Sequence, residues 1–190
     1  MGHPKIVVTG RIPDAGLAVL GDAGDVWAWD GDDPIPSDVR DRQLATADAA
    51  VTLLTDRVDD AFLDAAPGLR VVANVAVGYN NIDVDACRAR GVVVTNTPGV
   101  LTDATADLAL GLILMTTRRL GEGERLIRSG AAWQWGMFMM LGRSIGGRRL
   151  GIVGMGEIGR AVAVRAAAFG MEVVYHNRSS VAPEVERDLG

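Results

Sequence analysis

Short apolar runs alternate with amphipathic stretches through the first half of the chain. Ile6-Val7-Val8-Thr9 predicts a strand, and Pro13 opens a helix through Leu20 that stops at Gly21. Val26-Trp27-Ala28-Trp29 predicts a second strand, and Ser37 is placed to cap the helix that follows. Ala49 to Leu54 reads as a third strand, and a helix over Asp59 to Ala66 ends before Pro67-Gly68. Leu69 to Ala73 is a fourth strand; after a helix around Val84 to Arg90, Gly91 breaks to a fifth, Val92 to Thr95. Near-continuous apolar strands separated by helices imply a parallel sheet covered on both faces. Residues 1–98 therefore read as one α/β domain and residues 99–190 as a second.

Asn96-Thr97-Pro98-Gly99 marks the boundary. Thr102 is expected to cap a long helix that Gly121 ends, and a shorter helix follows over Glu122 to Ser129. From Ala106 to Met115 the long helix is apolar nearly all round, which predicts burial on more than one side, between domains or in a subunit interface. Trp133, Trp135, Met137, Phe138, Met139 and Met140 then crowd one glycine-flanked stretch. One reading is a loop packed on its own domain. The over-apolar helix before it favours the other, a surface covered by a partner subunit. A strand at Leu150 to Val153, a helix over Ala161 to Phe169 closed by Gly170, a strand at Glu172 to Tyr175 and a helix from Pro183 complete the pattern.

Composition narrows the function classes. Of 190 residues 48% are hydrophobic and the mean hydropathy is +0.18, which suits a protein with a substantial core. The net charge of −5 argues against a nucleic-acid or anionic-membrane surface, so an anionic ligand has to be held by local groups. A single cysteine, Cys87, excludes an internal disulfide and suits a reducing compartment; no metal-ligand set stands out. Met1 to Thr9 lacks the pattern of a signal peptide, and the apolar run Leu108 to Met115 is too short to span a bilayer. A cytoplasmic location is the expectation.

The chemistry is concentrated in Leu150-Gly151-Ile152-Val153-Gly154-Met155-Gly156-Glu157-Ile158-Gly159. A buried strand breaks into G-x-G-x-x-G and a helix follows, the order that binds a dinucleotide pyrophosphate. Gly154 permits the tight turn, Gly156 lets backbone approach the phosphates, and Gly159 lets helix and strand pack closely. Backbone N–H groups of the turn, including those at Glu157 and Ile158, then face the anion at the positive end of the helix. The Glu157 carboxylate is a mild electrostatic misfit there unless it points to solvent. No acid stands at the end of the next strand to accept from ribose hydroxyls. Asn177, Arg178 and Ser179 occupy that place, and a guanidinium grips a ribose phosphate. NADP(H) is therefore expected over NAD(H), with a plain surface arginine as the alternative.

At this point the sequence resembles the D-isomer-specific 2-hydroxyacid dehydrogenases, within them the glyoxylate/hydroxypyruvate reductase branch. Leu53-Leu54-Thr55-Asp56, Val75 to Asp83, Gly91 to Pro98, Val100 to Asp107 and the glycine turn through Met171 carry the resemblance. It implies a flavodoxin-like parallel-sheet substrate domain followed by a Rossmann dinucleotide-binding domain, here incomplete, and reversible hydride transfer between nicotinamide and a small 2-keto acid. It further implies that the Ala76-Val77-Gly78 loop binds the substrate carboxylate through backbone N–H groups. Leu53 and Leu54 would line the apolar side of the pocket, and Thr105 would meet the cofactor. Ordinary core packing is the alternative for the two leucines, and a bond within its own helix turn for the threonine. A homodimer formed through the Thr102–Leu120 helix and the Trp133–Leu141 segment is the implied assembly. The family's catalytic arginine, acid and histidine have no match in this chain. His3 lies in a terminal extension and His176 beside the adenosine site. The expectation is therefore the N-terminal part of a longer reductase. A phosphoglycerate dehydrogenase-like enzyme and a non-catalytic dinucleotide-binding module are the rivals.

Overall fold

The computed structural model describes residues 2–189. The chain divides into two compact units, Met1–Val100 and Leu101–Gly190.

The first unit is a five-stranded parallel sheet. Its strands are β1 (Lys5–Val8), β2 (Asp25–Ala28), β3 (Ala49–Leu53), β4 (Val71–Val75) and β5 (Val93–Thr95), in the order β2-β1-β3-β4-β5. Helices α1 (Asp14–Ala23), α2 (Ser37–Leu44), α3 (Asp60–Asp64) and α4 (Val84–Ala89) connect them. The inner strands carry two apolar faces, and two clusters cover them, while edge strand β5 leaves Val93 exposed. Val7, Ala50 and Val72 pack with Leu44, Phe62, Leu63 and Cys87 on one face. Ile6, Val8 and Val51 pack with Leu17 and Leu20 of α1 on the other. Order and coverage together are those of a flavodoxin-like sheet, with the chain reversing direction between β1 and β3.

Several boundaries differ from the pattern-based expectation for identifiable reasons. Helix α1 runs through Gly21, where an added Cβ would meet nothing within 4 Å, and closes instead at Gly24. Neither Ser37 nor Thr102 caps its helix: Pro36 and Leu101 hold the cap positions, without a side-chain bond. Asp59 does cap α3, accepting from the Phe62 N–H at 3.2 Å.

The second unit holds α5 (Thr102–Thr117), α6 (Leu120–Arg128), the parallel pair β6 (Arg149–Val153) and β7 (Glu172–His176), α7 (Glu157–Ala168) and α8 (Pro183–Leu189). Gly121 does not end the long helix but lies within α6. The break falls at Arg118-Arg119, where Arg119 takes the left-handed conformation at φ 58°. Ala106 and Leu110 of α5 pack on Val162 of α7. Arg165 locks the same pair of helices by bonding Asp103 at 2.9 Å and Asp107 at 2.5 Å.

Within this unit α5 is covered on one side only, by α7, and Leu108, Leu112 and Met115 are exposed. The stretch after α6 is tied to its own unit where the Arg143 N–H donates to the Thr117 carbonyl at 2.7 Å, but Trp135 and Phe138 remain 77% and 81% exposed. Among the described residues no helix is long and apolar enough to cross a membrane, and no group of three metal-ligating side chains converges.

Candidate functional site

Two backbone-rich sites emerge, one in each unit. The first lies beyond the C-terminal ends of β3 and β4, where open α/β sheets hold ligands. Strand β4 ends at Val75, and the Ala76–Tyr79 turn presents its peptide groups in a defined sense. The Ala76 carbonyl accepts from the Thr97 N–H at 2.9 Å. The Val77 carbonyl accepts from Asn96 Nδ2 at 2.8 Å, and the Gly78 carbonyl from Asn74 Nδ2 at 3.0 Å. A trans peptide sets N–H opposite C=O, so three carbonyls drawn inward turn the N–H groups of Val77, Gly78 and Tyr79 the other way. None of these three donates to any acceptor among the described residues. Successive unpaired N–H groups in a turn form an anion-binding concavity.

The turn is braced against the loop after β3. Asn74 is 2% exposed, yet fully partnered: its oxygen accepts from Thr52 Oγ1 at 3.1 Å, and its amide meets that of Asn81 in both directions. Asn81 Nδ2 reaches the Asp56 and Leu53 carbonyls at 3.0 and 3.3 Å. Since carbonyls only accept, they fix which end of each asparagine amide is which. Asp56 completes the brace by accepting from Thr9 Oγ1 at 2.5 Å and the Leu53 N–H at 2.6 Å. A short parallel bridge, Val58 to Ile82, joins the two loops.

The two leucines expected to share a pocket part company. Leu54 lines a 490 Å³ cleft between the loops after β3 and β4. Leu53 faces a separate 550 Å³ cavity at the β1–β3 reversal, where its side chain occupies the space a Cβ on Gly10 would need. Cys87, with burial as the main cause and Asp83 adding to it, has a thiol held above its ordinary pKa, as befits an inert core residue.

The second site is the glycine turn between β6 and α7. Gly154 has φ 101°, a conformation that L side chains rarely adopt, and its N–H is anchored to the His176 carbonyl at 2.9 Å. A Cβ on Gly159 would lie 2.1 Å from the Gly154 carbonyl oxygen, so helix and turn touch there. A Cβ on Gly156 would meet nothing within 4 Å: the space over it is open. The N–H groups of Gly156, Glu157, Ile158 and Gly159 find no acceptor among the described residues; Arg160 is the first to bond, to the Gly156 carbonyl at 2.9 Å. Glu157 is exposed at the first position of α7, where a carboxylate complements the helix dipole.

Asn177 also holds the turn itself. Its side-chain oxygen accepts from the Met155 N–H at 2.8 Å, so it braces the turn while its NH2 and second lone pair stay open to a ligand. Arg178 and Ser179 are exposed beyond β7 and bond to none of the described residues. Thr105 sits half-buried in the first turn of α5, its own N–H donating to the Leu101 carbonyl at 2.9 Å. His176 ends β7 with an exposed side chain, and His3 precedes β1. The sequence pattern assigned no part in a site to Asn74, Asn81 and Asn96, the last of which marked only the domain boundary. An asparagine inside the apolar run of β4 was the available signal.

Comparison with known proteins bears on this geometry. The family model described as "D-isomer specific 2-hydroxyacid dehydrogenase, catalytic domain" matches residues 6–185. The chain belongs to this family. It is 47% identical over 193 residues to the glyoxylate reductase of Thermococcus kodakarensis, covering 99% of this chain and 57% of that protein. The glyoxylate reductase of Aeropyrum pernix is 44% identical, covering 100% of this chain and 58% of the relative. Among solved structures, the TT0316 protein of Thermus thermophilus superposes with a TM-score of 0.89 at 41% identity, over 94% of this chain and 58% of that one. An NADPH-dependent glyoxylate/hydroxypyruvate reductase of Sinorhizobium meliloti, solved with NADP and malonate, gives 0.75 at 33% identity, over 96% and 56% of the two chains. The chain thus spans little more than half the length of the relatives it matches. Family and fold agree with the expectation from sequence, a flavodoxin-like sheet followed by the opening elements of a dinucleotide-binding fold.

Proposed function

We propose that this chain supplies the substrate-binding unit and the pyrophosphate turn of an NADPH-dependent reductase of small 2-keto acids, with glyoxylate or hydroxypyruvate as substrate. The observation that carries the reading is the set of three N–H groups at Val77, Gly78 and Tyr79 that find no acceptor among the described residues. An α-keto carboxylate is a small anion that such a concavity holds without a cationic side chain. Relatives named as glyoxylate reductases at 41–47% identity support the choice of substrate.

Residues of the second unit fit the cofactor. The space over Gly156 admits a pyrophosphate, and the free N–H groups at the start of α7 complement its charge. Thr105 would lie along the same cofactor. Arg178 and Ser179, without partners among the described residues, would take a ribose phosphate, which favours NADP(H) over NAD(H). Bound there, the nicotinamide would supply the hydride for reduction of a keto carbon. This chain's part is to fix the substrate carboxylate and to orient the cofactor phosphates.

The exposed apolar side chains of α5 and of the Trp133–Leu141 segment support a homodimer. Eight large apolar residues of these two elements face solvent, among them Leu108, Leu112, Trp135 and Phe138, which exceeds what isolated surface hydrophobes explain. A steady-state panel tests the reading with protein expressed from the full reading frame that carries this chain: glyoxylate, hydroxypyruvate and 3-phosphohydroxypyruvate, each with NADPH and NADH. Reduction of the first two, with NADPH preferred, is expected. Preference for the phosphorylated acid would favour the phosphoglycerate dehydrogenase-like alternative. Cofactor binding without any turnover would favour the non-catalytic module.

A further inference from the structure

We infer that Asn96 and Asn74, with Asn81 behind them, are positioning residues that aim the carboxylate-binding N–H groups. The inference rests on the reductase reading above and adds to it the side chains that set the geometry of the concavity. The turn Ala76–Tyr79 belongs to no helix or strand, so no ladder fixes the rotation of its peptide planes. Each plane is fixed instead by what its carbonyl meets. Thr97 N–H holds the first, Asn96 Nδ2 the second at 2.8 Å and Asn74 Nδ2 the third at 3.0 Å. Two of the three restraints are therefore side-chain amides, reaching in from the end of β5 and from within β4. If either peptide rotated, a carbonyl oxygen would face the ligand where an N–H now does, replacing attraction with repulsion.

Asn74 cannot turn away on its own. Its amide is paired with Asn81 at 3.2 and 3.3 Å, and Asn81 is held by two carbonyls of the loop after β3. The leucine loop and the concavity are thereby coupled through one asparagine pair. No buried side-chain polar atom among the described residues lacks a partner, so the network is closed rather than strained.

Asn96→Ala and Asn96→Asp test this together: the first removes the donor without adding charge, and the second keeps the shape of asparagine but puts a carboxylate where the donor was. The protein from the full reading frame is assayed with NADPH against glyoxylate and against glycolaldehyde, the same size without the carboxylate. In the Asn96→Asp variant kcat/KM for glyoxylate is expected to fall roughly ten- to a hundredfold, as misplacement of a binding group does, mostly through KM. The glycolaldehyde rate and the KM for NADPH stay within about twofold, so the preference for the acid collapses. Asn96→Ala carries the same expectation, and a loss confined to Asn96→Asp would mark repulsion by the added charge and overturn the inference. Equal losses on both substrates would mark Asn96 as general structural support and overturn the inference alone. A wild-type protein that reduces neither substrate would instead overturn the reading beneath it.

Discussion

Gly159 gives the sharpest test of how the glycine turn is built. Its Cβ, if present, would sit 2.1 Å from the Gly154 carbonyl oxygen, nearly an ångström inside the 3.0 Å limit that real Cβ contacts respect. The oxygen cannot retreat easily, since Gly154 already occupies φ 101° and its N–H is tied to the His176 carbonyl. Ile152, whose Cγ2 would lie at 3.4 Å, closes the other side. Gly159→Ala must therefore lift the first turn of α7 from β6. Overpacking of this kind costs roughly 3 kcal/mol, offset by about 1 kcal/mol of improved helix propensity. A net loss of about 2 kcal/mol, close to thirtyfold in the folding equilibrium, is expected. Urea unfolding followed by circular dichroism reads it, with Gly151→Ala as control, since a Cβ at Gly151 meets nothing within 4 Å. A Gly159→Ala protein that unfolds at the same urea concentration as the control would refute the close contact between helix and turn.

Other consequences follow from the same structure. Arg178→Ala should lower NADPH affinity about ten- to a hundredfold while leaving NADH affinity unchanged, the scale of a lost charge-assisted bond; fluorescence titration with both cofactors checks it. Tyr175 donates to Glu186, which raises its pKa, and accepts from the Val181 N–H. A raised pKa stabilises below the ordinary tyrosine range and the contribution disappears as pH climbs through the raised value. Tyr175→Phe should therefore be less stable near neutrality and lack that alkaline loss in melting curves taken across pH. Leu112→Arg combined with Phe138→Glu should shift sedimentation from dimer to monomer with native secondary structure retained. A dimer that survives both charges would remove α5 and the Trp133–Leu141 segment from the interface.

Much of the fold was legible because it rests on local patterns. Parallel strands buried on both faces read as unbroken apolar runs, as in Ile6-Val7-Val8 and Val71-Val72. The glycine turn was legible for the same reason, since its spacing encodes the geometry. Helix ends were less so. Gly21 and Gly121 resemble stop signals, but a glycine breaks a helix only where the chain needs a positive φ or a close approach, and neither position does. The break at Arg119 falls instead on a residue with no breaker chemistry. Non-local bonding was the least legible part. That Leu53 and Leu54 open onto different cavities, or that Asn96 reaches back 19 residues to the turn that Asn74 also grips, depends on contacts that no local pattern of sequence contains.

A crystal structure of the protein with NADP and oxalate, a non-reducible mimic of glyoxylate, tests the central claim most directly. The account predicts one oxalate carboxylate within hydrogen-bond distance of the N–H groups of Val77, Gly78 and Tyr79, with the pyrophosphate over Gly156. Oxalate seated instead in the cavity at the β1–β3 reversal, with the Ala76–Tyr79 turn empty, would contradict it.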